Sequence, residues 1–194
     1  MSDEGTYELI AIGASWGGLQ ALSTVLVGLH PDVDAAIVVA QHRGPASSRG
    51  VLEQLLQRHG GRPVSEPHDK EPIEARHVYV APADYHLLVE QRHFALSTDG
   101  RVNYSRPSID VLFESVAEAY RERAIGIVLT GANEDGAAGL AAIKERGGVA
   151  VVQDPETAER RTMPDAALAA TGADAVLPLA EIPRFLYGLC CGAS

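Results

Sequence analysis

The sequence is short of several things, and each shortage removes a class of protein. Cysteine occurs only twice in 194 residues, at the adjacent positions Cys190 and Cys191. Neighbouring cysteines rarely pair with each other, so a disulfide framework is excluded and free thiols in a reducing compartment are expected. No third cysteine exists to complete a metal site of the zinc type, and the reading calls for no metal and no cofactor. Positive charge is scarce too: 16 Lys and Arg against 26 Asp and Glu give a net charge of −10. Phosphate binding needs a surplus of cations on some face, so a nucleic-acid partner is set aside. Long apolar runs are missing. Stretches such as Ala35–Ala40 fall far short of the ~20 residues that cross a bilayer. Met1 to Glu8 is polar and acidic, unlike a secretory leader. The expectation is a cytoplasmic protein with no membrane insertion.

What is present is an ordinary globular composition, 46% hydrophobic and 22% charged. A chain of this length buries roughly 70% of its unfolded surface, enough for a core without staples, and residues 1–194 are expected to form one domain. Short β-branched runs alternate with helical patterns. Leu9–Ile12, Ala36–Ala40, Val78–Ala81, Ile125–Thr130, Val149–Gln153 and Ala175–Leu177 read as buried strands. Several are apolar at successive positions, as in a parallel sheet covered on both faces. His86–Leu96 differs: two apolar runs flank Glu90–His93, which predicts an inserted β-hairpin. Ile109, Leu112, Phe113, Val116, Ala117 and Tyr120 share one helical face, with Pro107 suited to the first turn. Further helices are marked by Leu52, Leu55 and Leu56, ending at Gly60-Gly61, and by Leu140 and Ile143, ending at Gly147-Gly148. The fold class is α/β: three layers, doubly wound, with a mainly parallel sheet.

In such sheets ligands bind beyond the carboxyl ends of the strands. Three polar clusters fall there: Ser15, Gln41-His42, and Thr130 to Gly136. Gly13-Ala14-Ser15-Trp16-Gly17 has the form G-x-S-x-G between a strand and a helix starting near Gly18, a turn that presents a nucleophile and aims helix-start N–H groups at an oxyanion. A dinucleotide turn would want an acidic residue after the second strand, where Gln41 and His42 stand, and no Gly-Lys-Ser/Thr makes a P-loop. A serine needs a base. His42, on the next strand, is preferred, and His86 is a second candidate for lining the site. His30, His59 and His68 read as solvated, and His77 and His93 flank strands without reason to approach Ser15. A carboxylate should orient the imidazole. Asp135 and Glu134 both qualify; Asp135 is preferred because its short side chain lies at the start of the following helix, whose N–H groups would keep it ionised.

Taken together the blocks resemble the catalytic domain of the CheB protein-glutamate methylesterases. They are Ile12-Gly13-Ala14-Ser15 with Gly17-Gly18, Gln41-His42, Val80-Ala81-Pro82 with His86, Pro107-Ser108-Ile109-Asp110, Leu129-Thr130-Gly131 with Asp135-Gly136, and Met163-Pro164. The resemblance implies a Ser15–His42–Asp135 triad, hydrolysis of glutamate methyl esters on chemoreceptors, and often deamidation of glutamines. It makes a methylated chemoreceptor or similar signalling protein the expected partner. A receiver domain in cis is not expected in this chain, which leaves any regulator to act in trans. Two positions depart from the family pattern: Trp16 where a small residue is common, and Thr130-Gly131-Ala132-Asn133 where Thr-Gly-Met-Gly is usual. Trp16 and Ala132 are expected beside the substrate, with their N–H groups as oxyanion donors. Arg43 and Arg106, with Arg160 and Arg161, are expected as a basic rim for an acidic protein segment. The alternatives are a serine esterase for another ester and a non-catalytic signalling module of the same fold.

Overall fold

The computed structural model describes residues 7–44, 50–58 and 61–192; His59 and Gly60, at the expected end of the second helix, lie outside them. The unbroken apolar runs become central strands. Every residue of β1 (Leu9–Ala14) is buried, and β2 (Ala36–Gln41) is buried up to its last residue. Burial on both sides follows from helices on both faces. With β3 (Val64–Ser65), β4 (Val78–Val80), β7 (Ala124–Val128), β8 (Val149–Gln153) and β9 (Ala175–Leu177) they form a sheet ordered β3-β4-β2-β1-β7-β8-β9, parallel at every pairing.

Alternate residues of each strand feed two cores. Ile10 and Ile12 pack with α1 (Gly18–Gly28), α2 (Val51–Gln57) and α6 (Ile182–Cys191). Leu9 and Ala11 pack with α3 (Ile109–Tyr120), α4 (Ala137–Glu145) and α5 (Thr162–Ala170). The α3 stripe is buried as its periodicity requires. Its cap is Ser108, whose Oγ accepts from Val111 N at 3.4 Å, so Pro107 precedes the cap and does not open the first turn.

The expected hairpin is present as β5 (His86–Glu90) and β6 (His93–Ser97). It is inserted in chain order between β4 and α3 and forms a two-stranded sheet of its own, apart from the main one. Leu87, Val89 and Phe94 press it onto the α3 side of the core, and Val89 N donates to Ser115 Oγ at 2.9 Å.

From β1 the chain runs outward through β2 to the edge strand β3, steps back to β4, then crosses to β7 on the other side. β1 and β7 thus flank the point where the strand order reverses, where a crevice opens at the carboxyl ends. Gly13 and Val128 are in register, and one step further Ser15 N donates to Thr130 O at 3.0 Å. The two segments leave the sheet side by side.

Candidate active site

The nucleophile turn is braced from both neighbouring strands. Gln41 Nε2 donates to Ser15 O at 2.7 Å, and His42 N donates to Ala14 O at 3.1 Å. Gly17 supplies the reversal. Its φ of 76° is left-handed, and a Cβ there would stand 2.5 Å from the Glu159 carboxylate. Gly13 is needed for a different reason: a Cβ would stand 2.3 Å from the Ile109 side chain at the start of α3. Among the described residues the backbone N–H groups of Trp16, Gly17 and Ala132 meet no protein acceptor. The first two stand at the start of α1, where the helix dipole favours negative charge.

His42 stands at the end of β2 with its ring between two partners. Nδ1 lies 3.2 Å from Ser15 Oγ, and Nε2 lies 2.6 Å from Asp135 Oδ2. Asp135 is 0% exposed and accepts only hydrogen bonds. Nε2 therefore carries the proton it donates to Asp135, which leaves the Nδ1 lone pair facing the serine hydroxyl. That is the tautomer of a general base.

The Asp135 carboxylate rests on a helix start, but not the one its position in the chain suggests. Gly136, not Asp135, occupies the cap of α4, with no side-chain cap bond. Asp135 reaches instead to the beginning of α3. Oδ2 accepts from Ile109 N at 2.7 Å, and Oδ1 from Asp110 N at 3.1 Å and Ser108 Oγ at 2.8 Å. The α4 start receives Asp110 in exchange: its Oδ1 accepts from Gly136 N at 2.9 Å and Gly139 N at 2.7 Å. Asn103 Nδ2 lies between the two carboxylates, 2.8 Å from Asp110 and 3.1 Å from Asp135. Burial pushes the Asp135 carboxyl up, but His42, the N–H groups of α3 and Asn103 outweigh it and hold it below its ordinary value. Asp110 goes the other way. Burial raises it, against its N–H partners, and the Asp135 charge adds to the rise.

The remaining expected residues divide. Trp16 stands on the rim, 57% exposed, its indole N–H donated to Glu159 at 2.8 Å and the Arg160 guanidinium 5.4 Å from its ring. Ala132 is exposed on the 130–136 loop. Arg43 and Arg106 border a cavity of about 320 Å³ beside His42, shared with Arg101 and Tyr104. Both charges are already answered: Arg43 by Glu66 at 2.6 Å, Arg106 by Asp84 at 2.7 Å. Arg161 is paired with Glu156 and Asp165. His86 does not line the site. It is buried behind the start of α3, with Nδ1 accepting from Ser108 N at 3.2 Å and Nε2 3.0 Å from Gly100 O. Glu134 is exposed, and among the described residues its carboxylate bonds to neither His42 nor Ser15. Sequence reasoning missed Asn103 and Asn133. Asn133 Nδ2 lies 3.3 Å from His42 Nδ1, and its place two residues before Asp135 is the signal that could have marked it. Asn103 offers only its turn-forming character.

The chain resembles known proteins throughout. Residues 10–186 match the family model described as CheB methylesterase. A relative from Leptospira interrogans is 50% identical over 184 residues, 94% of this chain and 95% of that protein, and is named provisionally as a protein-glutamate methylesterase/protein-glutamine glutaminase. One from Hydrogenovibrio crunogenus, with the same pair of activities in its name, is 39% identical over 95% of this chain and 50% of its own length. The crystal structure of the Thermotoga maritima CheB methylesterase catalytic domain superposes with a TM-score of 0.89 at 32% identity, covering 94% of this chain and 98% of that one. The chain belongs to the CheB methylesterase family.

Proposed function

We propose that this protein hydrolyses glutamate γ-methyl esters on a chemoreceptor or similar signalling protein, with Ser15, His42 and Asp135 as its catalytic triad. The observation that carries the reading is the His42 ring held between Ser15 Oγ and the buried Asp135 carboxylate at the strand switch point. Family membership and the names of the relatives support the substrate.

The reaction runs in two halves. His42 Nδ1 takes the Ser15 hydroxyl proton as Oγ attacks the γ-carbonyl carbon, and the carbonyl oxygen becomes an oxyanion. The N–H groups of Trp16 and Ala132 receive that charge. The proton on Nδ1 passes to the methoxy oxygen, the C–O bond breaks, and methanol leaves an acyl-serine. Water then gives one proton to Nδ1 and attacks the acyl carbon. The Ser15–acyl bond breaks, Oγ regains the proton from Nδ1, and the glutamate carboxyl departs, losing water's second proton to solvent.

The basic rim is narrower than the four expected arginines, and Arg101 beside His42 joins it. With Arg43, Arg106 and Arg161 ion-paired inside the chain, Arg101 and Arg160 are the rim cations without a carboxylate partner among the described residues. These two are the contacts proposed for an acidic protein segment.

The test is methanol release from methyl-labelled receptor. Ser15→Ala should lower the rate on the order of 10⁴-fold. An unchanged rate would overturn the assignment.

A further inference from the structure

The amide of Asn133 reaches the same ring nitrogen that faces the nucleophile. Asn133 Nδ2 lies 3.3 Å from His42 Nδ1, and Ser15 Oγ lies 3.2 Å from that nitrogen. The other end of the amide fixes its orientation, because Asn133 Oδ1 accepts from Asp135 N at 3.2 Å. A backbone N–H can only donate, so the amide oxygen must face it and the NH₂ group must face the ring. A hydrogen-bond donor therefore stands beside the nitrogen that exchanges protons with the leaving group. In the proposed mechanism the Trp16 N–H serves the oxyanion instead.

Resting on the methylesterase reading, we propose that Asn133 is a catalytic residue on the leaving-group side that selects esters over amides. The argument is a count of lone pairs. In the tetrahedral intermediate of an ester the leaving oxygen carries two. One accepts the proton from His42 Nδ1, and the other accepts Asn133 Nδ2–H. In the intermediate of an amide the leaving nitrogen carries one lone pair, which takes the His42 proton. Its remaining N–H bonds then meet another donor, and no hydrogen bond to Asn133 Nδ2–H can form. In the second half-reaction the same N–H can hold the attacking water, whose oxygen uses one lone pair for attack and has one to spare. The relatives are named for both ester and amide hydrolysis. Asn133 biases this site toward the ester.

The test uses two peptides identical except for one central residue, glutamate γ-methyl ester or glutamine. The full chain is given each, and methanol and ammonia release are followed separately. The quantity read is the ester-to-amide ratio of kcat/KM in the wild type, Asn133→Gly and Asn133→Asp. A change in His42 basicity acts on both substrates, so the ratio isolates the contact with the leaving group. The ratio should fall by about tenfold in Asn133→Gly, the worth of one hydrogen bond in the transition state. It should fall further in Asn133→Asp, which keeps an acceptor for Asp135 N and turns a second acceptor toward the leaving nitrogen. An unchanged ratio, or equal loss on both substrates, would overturn the proposal and leave Asn133 a loop residue. A wild type that releases no methanol from ester peptide or methylated receptor would remove the methylesterase reading itself, and this proposal with it.

Discussion

Two helix starts border Ser15, and they are finished in opposite ways. At α1 the cap is Gly17, which offers no side chain, and the N–H groups of Trp16 and Gly17 meet no acceptor among the described residues. At α3 the Ile109 and Asp110 N–H groups and the Ser108 hydroxyl all point at the Asp135 carboxylate. Both are positive ends of helix dipoles, equally suited to an anion. The α3 start holds the Asp135 carboxylate, which fixes the imidazole and, in the proposed reaction, answers the imidazolium. In the proposed mechanism the α1 start serves a charge that exists only in the transition state, and only such an interaction accelerates the chemistry. One helix start thus carries a carboxylate of the chain itself and the other turns its N–H groups to no protein acceptor among the described residues, with His42 bonded to the first and to Ser15.

The contrast is broken most severely by removing the charge at the α3 start. Asp135→Asn offers one acceptor and one NH₂ group where five donors converge. Either orientation of the amide sets donor against donor. The NH₂ group turned toward His42 would make Nε2 an acceptor and move the ring proton to Nδ1, where the base is needed. The loss in kcat for methanol release should be about 10³- to 10⁴-fold. A loss below about tenfold would mean that the α3 start does not need a charged occupant.

How much of this is legible in the sequence depends on how local the cause is. The α3 stripe and strand β8 can be read from apolar spacing, since burial follows from it directly. Ala175–Leu177, expected as a buried strand, forms β9 at the sheet edge, where no residue is buried and Val176 is 44% exposed. β3 is two half-buried residues, too short to show a pattern. α5 is rich in alanine with Pro164 in its first turn, and it buries only Met163, Pro164 and Ala167, which leaves little periodicity. Ser15, His42 and Asp135 are legible because each follows a strand and the sheet brings strand ends together. The exchange of Asp135 and Asp110 between α3 and α4 is not. It depends on how two helices cross, with a Cβ on Gly139 only 3.0 Å from Asp110 Cα. Each aspartate is near a helix start in sequence, yet serves the other helix. Nor does the sequence reveal that Arg43, Arg106 and Arg161 are neutralised by partners up to 23 residues away.

A smaller effect separates holding the proposed triad from performing the reaction. Asp110→Ala strips the acceptor from Gly136 N, Gly139 N and one Asn103 contact, all at buried or half-buried sites. Stability should fall by about 3 kcal/mol, read from the urea midpoint at an unchanged slope. The residual folded enzyme should retain much more activity than Asp135→Asn, because Asp135 keeps its α3 donors. Equal activity losses in the two variants would dissolve the distinction between them.

The smallest effect lies in how stability follows pH, where the two buried carboxylates pull in opposite directions. The folded state holds Asp135 below its ordinary value of 3.8, so the stability it contributes is complete above 3.8 and is lost as pH falls through the lower folded value. Asp110 is held above 3.8, so between 3.8 and its raised value the folded chain binds the proton that the unfolded chain has released. Stability from that group therefore falls as pH rises through the window. Asp110→Asn removes this opposing slope and leaves the Asp135 contribution. In urea titrations from about pH 3 to about pH 7, wild type relative to Asp110→Asn should be most favoured at the acid end and lose ground as pH rises. A constant difference would show that Asp110 ionises in the folded protein as it does in the unfolded chain. A difference that grows with pH would reverse the sign, and would make Asp110 a second well-stabilised carboxylate like its neighbour.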